Sequence, residues 1–300
     1  MKKLIILVVL AVFAENAFAQ SFYNRRIDRK WVASAGTGTA KYFGELTNDG
    51  DIIQGTLYNI EVGLERRFTD RISARGNLTF FQIQSSDIDA KDESRVRRNL
   101  SFKGANIELS ATGIIQLFSE VGRYYQRPVI NPYFFLGLGA LYYNPRAEIP
   151  ATYHDGSPIP EAGKMTSLRQ YKTEFVNYSP VTLVIPFGVG VKMMIAPPLN
   201  VSINGGYRYT LSDYLDDMST VHFDDADFGD PLAAALSDRR PELGLEPYAA
   251  GKKRGNPDKK DGYFLFSIRI DYYLPPQLFG SGNRANSYNK RRKAPKRREP

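Results

Sequence analysis

In Tyr58-Asn59-Ile60-Glu61-Val62-Gly63-Leu64-Glu65 the large apolar side chains take every second place, and polar or tiny ones fill the places between. That is a period of two, the signature of a strand with one greasy and one wet face. Phe68-Thr69-Asp70 turns the chain, after which Ile72, Ala74, Leu78 and Phe80 alternate with Ser73, Arg75, Asn77 and Thr79. Strands in soluble proteins commonly run to about five or six residues. These two run to about ten or more, the length a tilted strand needs to cross a bilayer. The greasy face of the hairpin over residues 57–83 is therefore expected to meet lipid.

The start of the chain agrees. Met1-Lys2-Lys3 is followed by an apolar run over residues 4–14 and by Ala17-Phe18-Ala19 before Gln20. Small residues stand where a signal peptidase reads, so residues 1–19 are expected to be a secretory signal cleaved after Ala19. As a helix that run is too short to span about 30 Å of hydrocarbon. No later window holds the ~18 uninterrupted apolar residues of a transmembrane helix, which leaves a periplasmic protein, a secreted one, or an outer-membrane barrel. Nineteen tyrosines and eighteen phenylalanines favour the barrel, because aromatics line both of its rims at headgroup level. Cysteine is absent, which excludes disulfide and thiolate chemistry.

Further strands follow from the same alternation. A first strand is expected from Trp31 to about Tyr42, with Trp31 at the inner interface. Ile107, Leu109, Ala111, Ile115 and Leu117 alternate with polar residues in the fourth, and residues 132–143 form the fifth, with Gly137 and Gly139 on an inward face. Leu183, Ile185, Phe187, Val189, Val191 and Met193 point outward in the sixth, where Pro186 requires a bulge or a locally unpaired position. Val201, Ile203 and Tyr207 mark the seventh, and Phe264, Phe266, Ile268, Ile270 and Tyr272 the eighth. The fold class is thus all-β, an eight-stranded antiparallel transmembrane barrel over residues 31–275, with a lead-in over 20–30 and a basic tail over 276–300. Short connections at 68–70 and 196–198 face the periplasm, and the long loops near residues 45, 90, 160 and 235 face outward. A lipocalin-like soluble barrel would turn the apolar residues inward and the strand charges into solvent.

Those charges are the first candidate site. Glu61, Glu65, Glu108 and Asp271 stand against Arg75, Lys192, Arg208 and Arg269 on wet faces. Side chains fill the interior of a barrel of this size, so the expectation is a buried ion-pair plug rather than a selective pore. Lipid acyl transfer at the outer rim would need a serine with a histidine base. The only histidines, His154 (in His154-Asp155-Gly156-Ser157) and His222, lie in outer loops, and the expectation is neither enzyme nor cofactor. Asp213, Asp216, Asp217, Asp224, Asp225, Asp227 and Asp230 occupy one loop with no Lys or Arg among them. Carboxylates can hold Ca²⁺, but the order of an EF-hand is missing and a solvated acidic loop is expected, with Asp213, Asp216 and Asp217 pairing rim arginines such as Arg97 or Arg98.

At the other end Lys290, Arg291, Arg292, Lys293, Lys296, Arg297 and Arg298 face only Glu299 over residues 289–300, a net +6. The mature chain would carry +7 once Lys2, Lys3 and Glu15 are removed, so the tail holds nearly all of it. A run of like charge repels itself and does not fold alone. With an even strand count it hangs in the periplasm, where nucleic acid is excluded and the targets are anionic headgroups, peptidoglycan or an acidic face of a partner.

In Arg97-Arg98-Asn99-Leu100-Ser101-Phe102, over residues 132–146, in Ile185-Pro186-Phe187-Gly188-Val189-Gly190-Val191-Lys192, and over residues 209–219, the chain resembles a family of small outer-membrane barrels from Bacteroidetes-type bacteria that includes the PorG-like component of the type IX secretion system. Ser212-Asp213-Tyr214-Leu215-Asp216-Asp217 is the most specific segment of the resemblance. The resemblance implies an eight-stranded barrel bound to the periplasmic ring of the secretion and gliding apparatus, with Asp213, Tyr214, Asp216 and Asp217 at the rim. The expected role is a structural anchor or docking component in the outer membrane, in contact with its lipid and with periplasmic ring or peptidoglycan-associated proteins. The alternative is a surface adhesion barrel working through its long outer loops.

Overall fold

Ten strands pair antiparallel throughout in a computed structural model that describes residues 30–47, 55–121 and 126–275. They are β1 (Trp31–Phe43), β2 (Leu57–Arg67), β3 (Ile72–Ser86), β4 (Ser101–Gln116), β5 (Ile130–Tyr142), β6 (Pro145–Glu148), β7 (Met165–Ser167), β8 (Val181–Ala196), β9 (Leu199–Thr210) and β10 (Gly262–Tyr273). The signal segment, the lead-in up to residue 29, the loop tip at Asn48-Asp49-Gly50-Asp51 and the tail from residue 276 lie outside the described residues.

Closure is made by the first and last strands. β1 pairs with β2 on one side and with β10 on the other, from Val32↔Tyr273 to Phe43↔Gly262. β3 pairs with β4, so eight strands (β1 to β5 and β8 to β10) form a continuous ring with no free edge. Hydrocarbon demands that closure, since it offers no partner for an unpaired backbone N–H or C=O. The remaining two strands, β6 and β7, are a hairpin laid on the outer end of β4 at Lys103↔Arg146.

The alternation read from sequence is the alternation of exposure. Leu109 is 62% exposed and its neighbour Ser110 4%. Ile60, Val62, Leu78, Leu136, Leu138, Leu183, Val189, Ile268 and Ile270 continue the outward apolar band. Phe43, Tyr58, Tyr142, Tyr209 and Phe264 ring its outer end and Phe68 and Phe118 its inner end, as aromatic girdles do. At the inner rim the Arg66 guanidinium lies 5.4 Å over the Trp31 ring.

Glycine and proline sit where the backbone needs them. A Cβ on Gly137 would lie 2.1 Å from the Ala111 carbonyl oxygen. On Gly190 and Gly206 it would strike the rings of Tyr133 and Phe135, at 2.4 and 2.5 Å. Those glycines hollow the wall so that two aromatic rings of β5 fit inside a narrow barrel. The β5–β8 register runs to Leu136↔Phe187 and resumes at Gly139↔Val184. Pro186, which has no N–H to donate, occupies the gap in that ladder.

The long connections are more than polar loops. They carry the β6–β7 hairpin, helix α1 (Glu93–Arg98) and helix α2 (Pro231–Ser237). α1 starts where the Asp92 carboxylate accepts from Ser94 N and stops at Asn99 in the left-handed region, φ 59°. α2 starts at Asp230, which accepts from Leu232 N, with Pro231 in its first turn. Leu46, Leu100, Leu168, Leu215, Met218 and Leu236 pack with Tyr42, Phe102, Tyr143 and Tyr263 from the strand ends into one buried cluster. The loops therefore form an apolar-cored cap on the outer mouth, where alternation alone led us to expect polar connections.

The band can be tested at mid-strand. Leu109→Arg is expected to destabilise the protein in lipid by about 2–4 kcal/mol, whereas the same change at Asp224, exposed on the cap, is expected to leave unfolding in lipid unaltered. Equal unfolding midpoints for Leu109→Arg and the unmutated protein would place that face away from lipid.

Candidate functional site

Each of the eight strand charges singled out in the sequence lies within the barrel and is at most 4% exposed. β2 supplies Glu61 and Glu65, β3 Arg75, β4 Glu108, β8 Lys192, β9 Arg208, and β10 Arg269 and Asp271. Glu65 is the hub. Its Oε1 accepts from Lys192 Nζ at 2.8 Å and from Ser73 Oγ at 2.7 Å, and its Oε2 from Arg75 Nε at 3.1 Å. Glu108 Oε2 lies 3.5 Å from Arg208 and accepts from the Tyr263 hydroxyl at 2.7 Å. Arg269 lies 3.6 Å from Glu61 and donates to the Tyr133 hydroxyl at 2.7 Å. Asp271 accepts from the Ser202 hydroxyl. Four acids and four bases cancel, so these eight groups add no net charge to the interior.

A second set closes the inner mouth, and the alternation of the strands did not reveal it. Glu120, in the connection after β4, lies 3.3 Å from Arg67 and accepts from the Tyr273 hydroxyl at 2.7 Å. Arg127 donates to Asn200 Oδ1 at 3.1 Å and to the Pro197 carbonyl at 2.8 Å, with its guanidinium 4.6 Å over Tyr273. Glu120 and Arg127 belong to a connection with no period, so only the fold brings them to Arg67, Asn200 and Tyr273.

At the outer mouth the acidic loop divides in two. Asp224, Asp225, Asp227 and Asp230 are exposed, but Asp213, Asp216 and Asp217 are buried, contrary to a solvated loop. Nor do those three pair with Arg97 or Arg98. Arg98 grips Asp87 at 2.7 and 2.8 Å, and Arg97 lies 3.6 Å from Glu93 one helical turn away. Arg254, which the sequence did not single out, takes their place. It lies 2.8 Å from Glu174 and 3.9 Å from Asp217. Asp217 also accepts from the hydroxyls of Thr173 and, at 2.6 Å, Tyr178, and burial pushes its carboxyl up to about 6. Asp213 accepts from Ser219 Oγ at 2.7 Å, and Tyr214 stacks on Tyr178 with ring centroids 4.6 Å apart. The segment that carries the family resemblance is thus the hub of the cap.

Neither histidine is set up as a base for serine. His154 has Nδ1 at 2.6 Å from Asp225 and Nε2 at 2.8 Å from the Asp238 carbonyl, while the Ser157 hydroxyl donates to Asp155 at 2.6 Å. His222 is buried against Tyr248, ring centroids 4.7 Å apart, and its Nε2 has no hydrogen-bond partner. Burial, with Arg254 adding to it, pushes that imidazole down to about 4.

A closed barrel with an apolar outer band, aromatic girdles and a charged, filled lumen is the architecture of an outer-membrane protein. The family described as outer membrane protein beta-barrel domain matches residues 4–230. This chain belongs to it. Like other members of that family, it resides in the outer membrane in contact with lipid. Among solved structures it is similar to a major outer membrane protein of Thermus thermophilus, with 12% identity over 81% of this chain and 98% of that one and a TM-score of 0.41. It is also similar to Neisserial surface protein A, with 9% identity, 81% and 97% coverage and a TM-score of 0.39. Ail of Yersinia pestis, solved with the heparin analogue sucrose octasulfate, gives 10%, 82%, 100% and 0.34. No curated protein matches the chain. The basic tail residues from Lys290 to Arg298 lie outside the described residues.

Two outcomes follow from these networks. Glu65→Ala leaves Lys192 and Arg75 facing each other unneutralised, which is expected to cost about 3–5 kcal/mol in unfolding measured in lipid. For His222, a folded pKa below the ordinary 6.5 means that the unfolded chain binds the extra proton first. Stability is then complete above about pH 6.5 and falls towards pH 4, by up to about 1.4 kcal/mol per pH unit. In thermal unfolding of detergent-purified protein, His222→Phe is expected to flatten that acid-side loss, and an identical pH dependence in the two proteins would contradict it.

Proposed function

We propose that this barrel is a structural anchor in the outer membrane that docks a periplasmic assembly, of the type IX secretion or gliding kind, rather than a channel or an enzyme. The observation that carries the reading is that buried ion pairs stand in the lumen and at both of its mouths. Arg67 and Glu120 close the inner mouth, Glu65 with Lys192 and Arg75 fills the middle, and Arg254 with Glu174 ties the cap. Such a barrel offers partners its two ends rather than a path between them. The sequence concentrates a net +6 in residues 289–300. An even number of strands in the ring would leave that charge in the periplasm, where it would suit an acidic face of a ring protein or of a peptidoglycan-associated protein. Attraction to anionic headgroups, at roughly 1 kcal/mol per Lys or Arg, would add to it.

A surface-binding role has one observation in its favour. Phe175, 46% exposed on the cap, packs its ring 4.8 Å from both Phe223 and Phe228. An aromatic cluster at the outer tip suits contact with an external partner. The two roles differ in which side carries the interaction. Truncation after Tyr288 is expected to leave barrel assembly intact and to release the periplasmic partners in crosslinked pull-downs from native membranes, more readily at high salt. Recovery of the same partners in the same amounts from the truncated protein would remove the tail from the docking role. Loss of function after protease shaving of intact cells would point to the outer surface instead.

A further inference from the structure

Four carboxylates meet at the outer end of the seam that closes the barrel. Glu45 follows the end of β1, Asp213 and Asp216 follow β9, and Asp261 immediately precedes β10. One oxygen from each of Glu45, Asp213 and Asp261 lies within 4.8 Å of the other two. Asp213 is 3% exposed, Asp216 2% and Asp261 0%. Among the described residues no cation pairs with any of the four. Arg98 and Arg254 form their ion pairs with Asp87, Glu174 and Asp217 and act on Glu45 and Asp216 only at longer range. Lys259 and Lys260 act on Glu45 and Asp213 only at longer range.

Hydrogen-bond donors are short as well. The Tyr42 hydroxyl is 2.7 Å from Asp216 Oδ2 and 2.6 Å from Asp261 Oδ1, yet it carries one proton and can serve one of them. Leu215 N serves Asp261 Oδ2 at 2.9 Å, Ser219 Oγ serves Asp213 Oδ2 at 2.7 Å, and Asn256 N serves Glu45 Oε1 at 3.2 Å. Asp213 Oδ1 and Glu45 Oε2 remain buried with no donor. Leaving such oxygens unsatisfied away from water is costly, and mutual repulsion of the carboxylates adds to it. The backbone closes tightly over the group, since a Cβ on Gly44 would fall 1.8 Å from the Tyr42 hydroxyl and 2.1 Å from Asp261 Oδ1.

We propose that Glu45, Asp213 and Asp261 bind a calcium ion, with Tyr42 and Asp216 positioning Asp261 from behind. Calcium takes oxygen ligands at about 2.3–2.6 Å, so two oxygens on one ion stand up to about 5 Å apart. The 4.8 Å envelope of these three fits that span. Magnesium dehydrates reluctantly and demands strict octahedral geometry, which suits an all-carboxylate protein cage less well. A set of carboxylates without imidazole or thiolate disfavours zinc and copper. The ion would join the connection after β1 to both ends of the connection between β9 and β10. It would lock the cap to the seam where Phe43 faces Gly262.

Full-length protein, purified in detergent and stripped with EGTA, provides the test by calorimetric titration with calcium chloride and by terbium luminescence sensitised by Tyr42. One site per chain is expected, with a Kd of about 10⁻⁴–10⁻³ M, the range of extracellular calcium modules. Asp213→Asn and Glu45→Gln are each expected to weaken it by about tenfold or more, as loss of a charged ligand does. Asp224→Asn and Asp227→Asn, exposed acids of the same connection, are expected to leave it unchanged. Glu45 is only half-buried, so its variant supplies the answer if Asp213→Asn does not assemble. No calcium binding by the unmutated protein, undiminished binding by Glu45→Gln, or loss of binding in the Asp224 and Asp227 variants would each overturn the assignment.

Discussion

Hydrocarbon supplies no hydrogen bonds, and a barrel exists only because its first and last strands find each other. The register from Val32↔Tyr273 to Phe43↔Gly262 joins segments more than two hundred residues apart, and the rest of the structure follows from that seam. It makes every strand of the ring interior rather than edge, so that backbone polarity is satisfied along the whole wall. It also restricts Pro186, which can sit in the wall only where the β5 ladder lapses between Leu136↔Phe187 and Gly139↔Val184.

A ring of eight strands is narrow, and what fills it must be both bulky and satisfied. Tyr133 and Phe135 supply bulk, and glycines on the neighbouring strands make room for them. The charges supply satisfaction, with Glu65 held between Lys192 and Arg75 and with the Tyr263 hydroxyl sharing Glu108 with Arg208. Buried ion pairs are poor sources of net stability, because desolvation offsets most of their attraction. Their consequence here is geometric. They tie strands to one another across the interior, as Lys192 of β8 does by reaching Glu65 of β2.

The outer end distributes its charge differently. Arg254 bridges Glu174 and Asp217 and so organises one half of the cap. The half over the seam has Glu45, Asp213, Asp216 and Asp261 without a matching base. That imbalance is local, since the two halves are parts of the same connections and share the segment from Ser212 to Ser219. The same family-like run therefore serves two purposes, with Asp217 facing a guanidinium and Asp213 facing other carboxylates.

Fold class, the eight strands of the wall and the facing of most of them were legible in the amino-acid order alone, because a period of two maps each side chain to one side of the wall whatever its neighbours are; the β6–β7 hairpin, too short for such a period, was not. That was enough to send Glu61, Glu65, Glu108, Arg75, Lys192, Arg208, Arg269 and Asp271 inward, and to require an unpaired place for Pro186. Which of those charges pair is settled in the closed ring, since stagger between strands sets which residues share a level and no local pattern encodes it. The connections were the least legible. Leu46, Leu100, Leu215, Met218 and Leu236 are scattered through polar sequence and become a core only when the loops meet over the mouth. Arg254 meets Asp217 across thirty-seven positions, and Glu45 meets Asp261 only because β1 and β10 close the ring. Contacts of that range have no periodic signal, because nothing in the spacing along the chain records which loops will be neighbours in space.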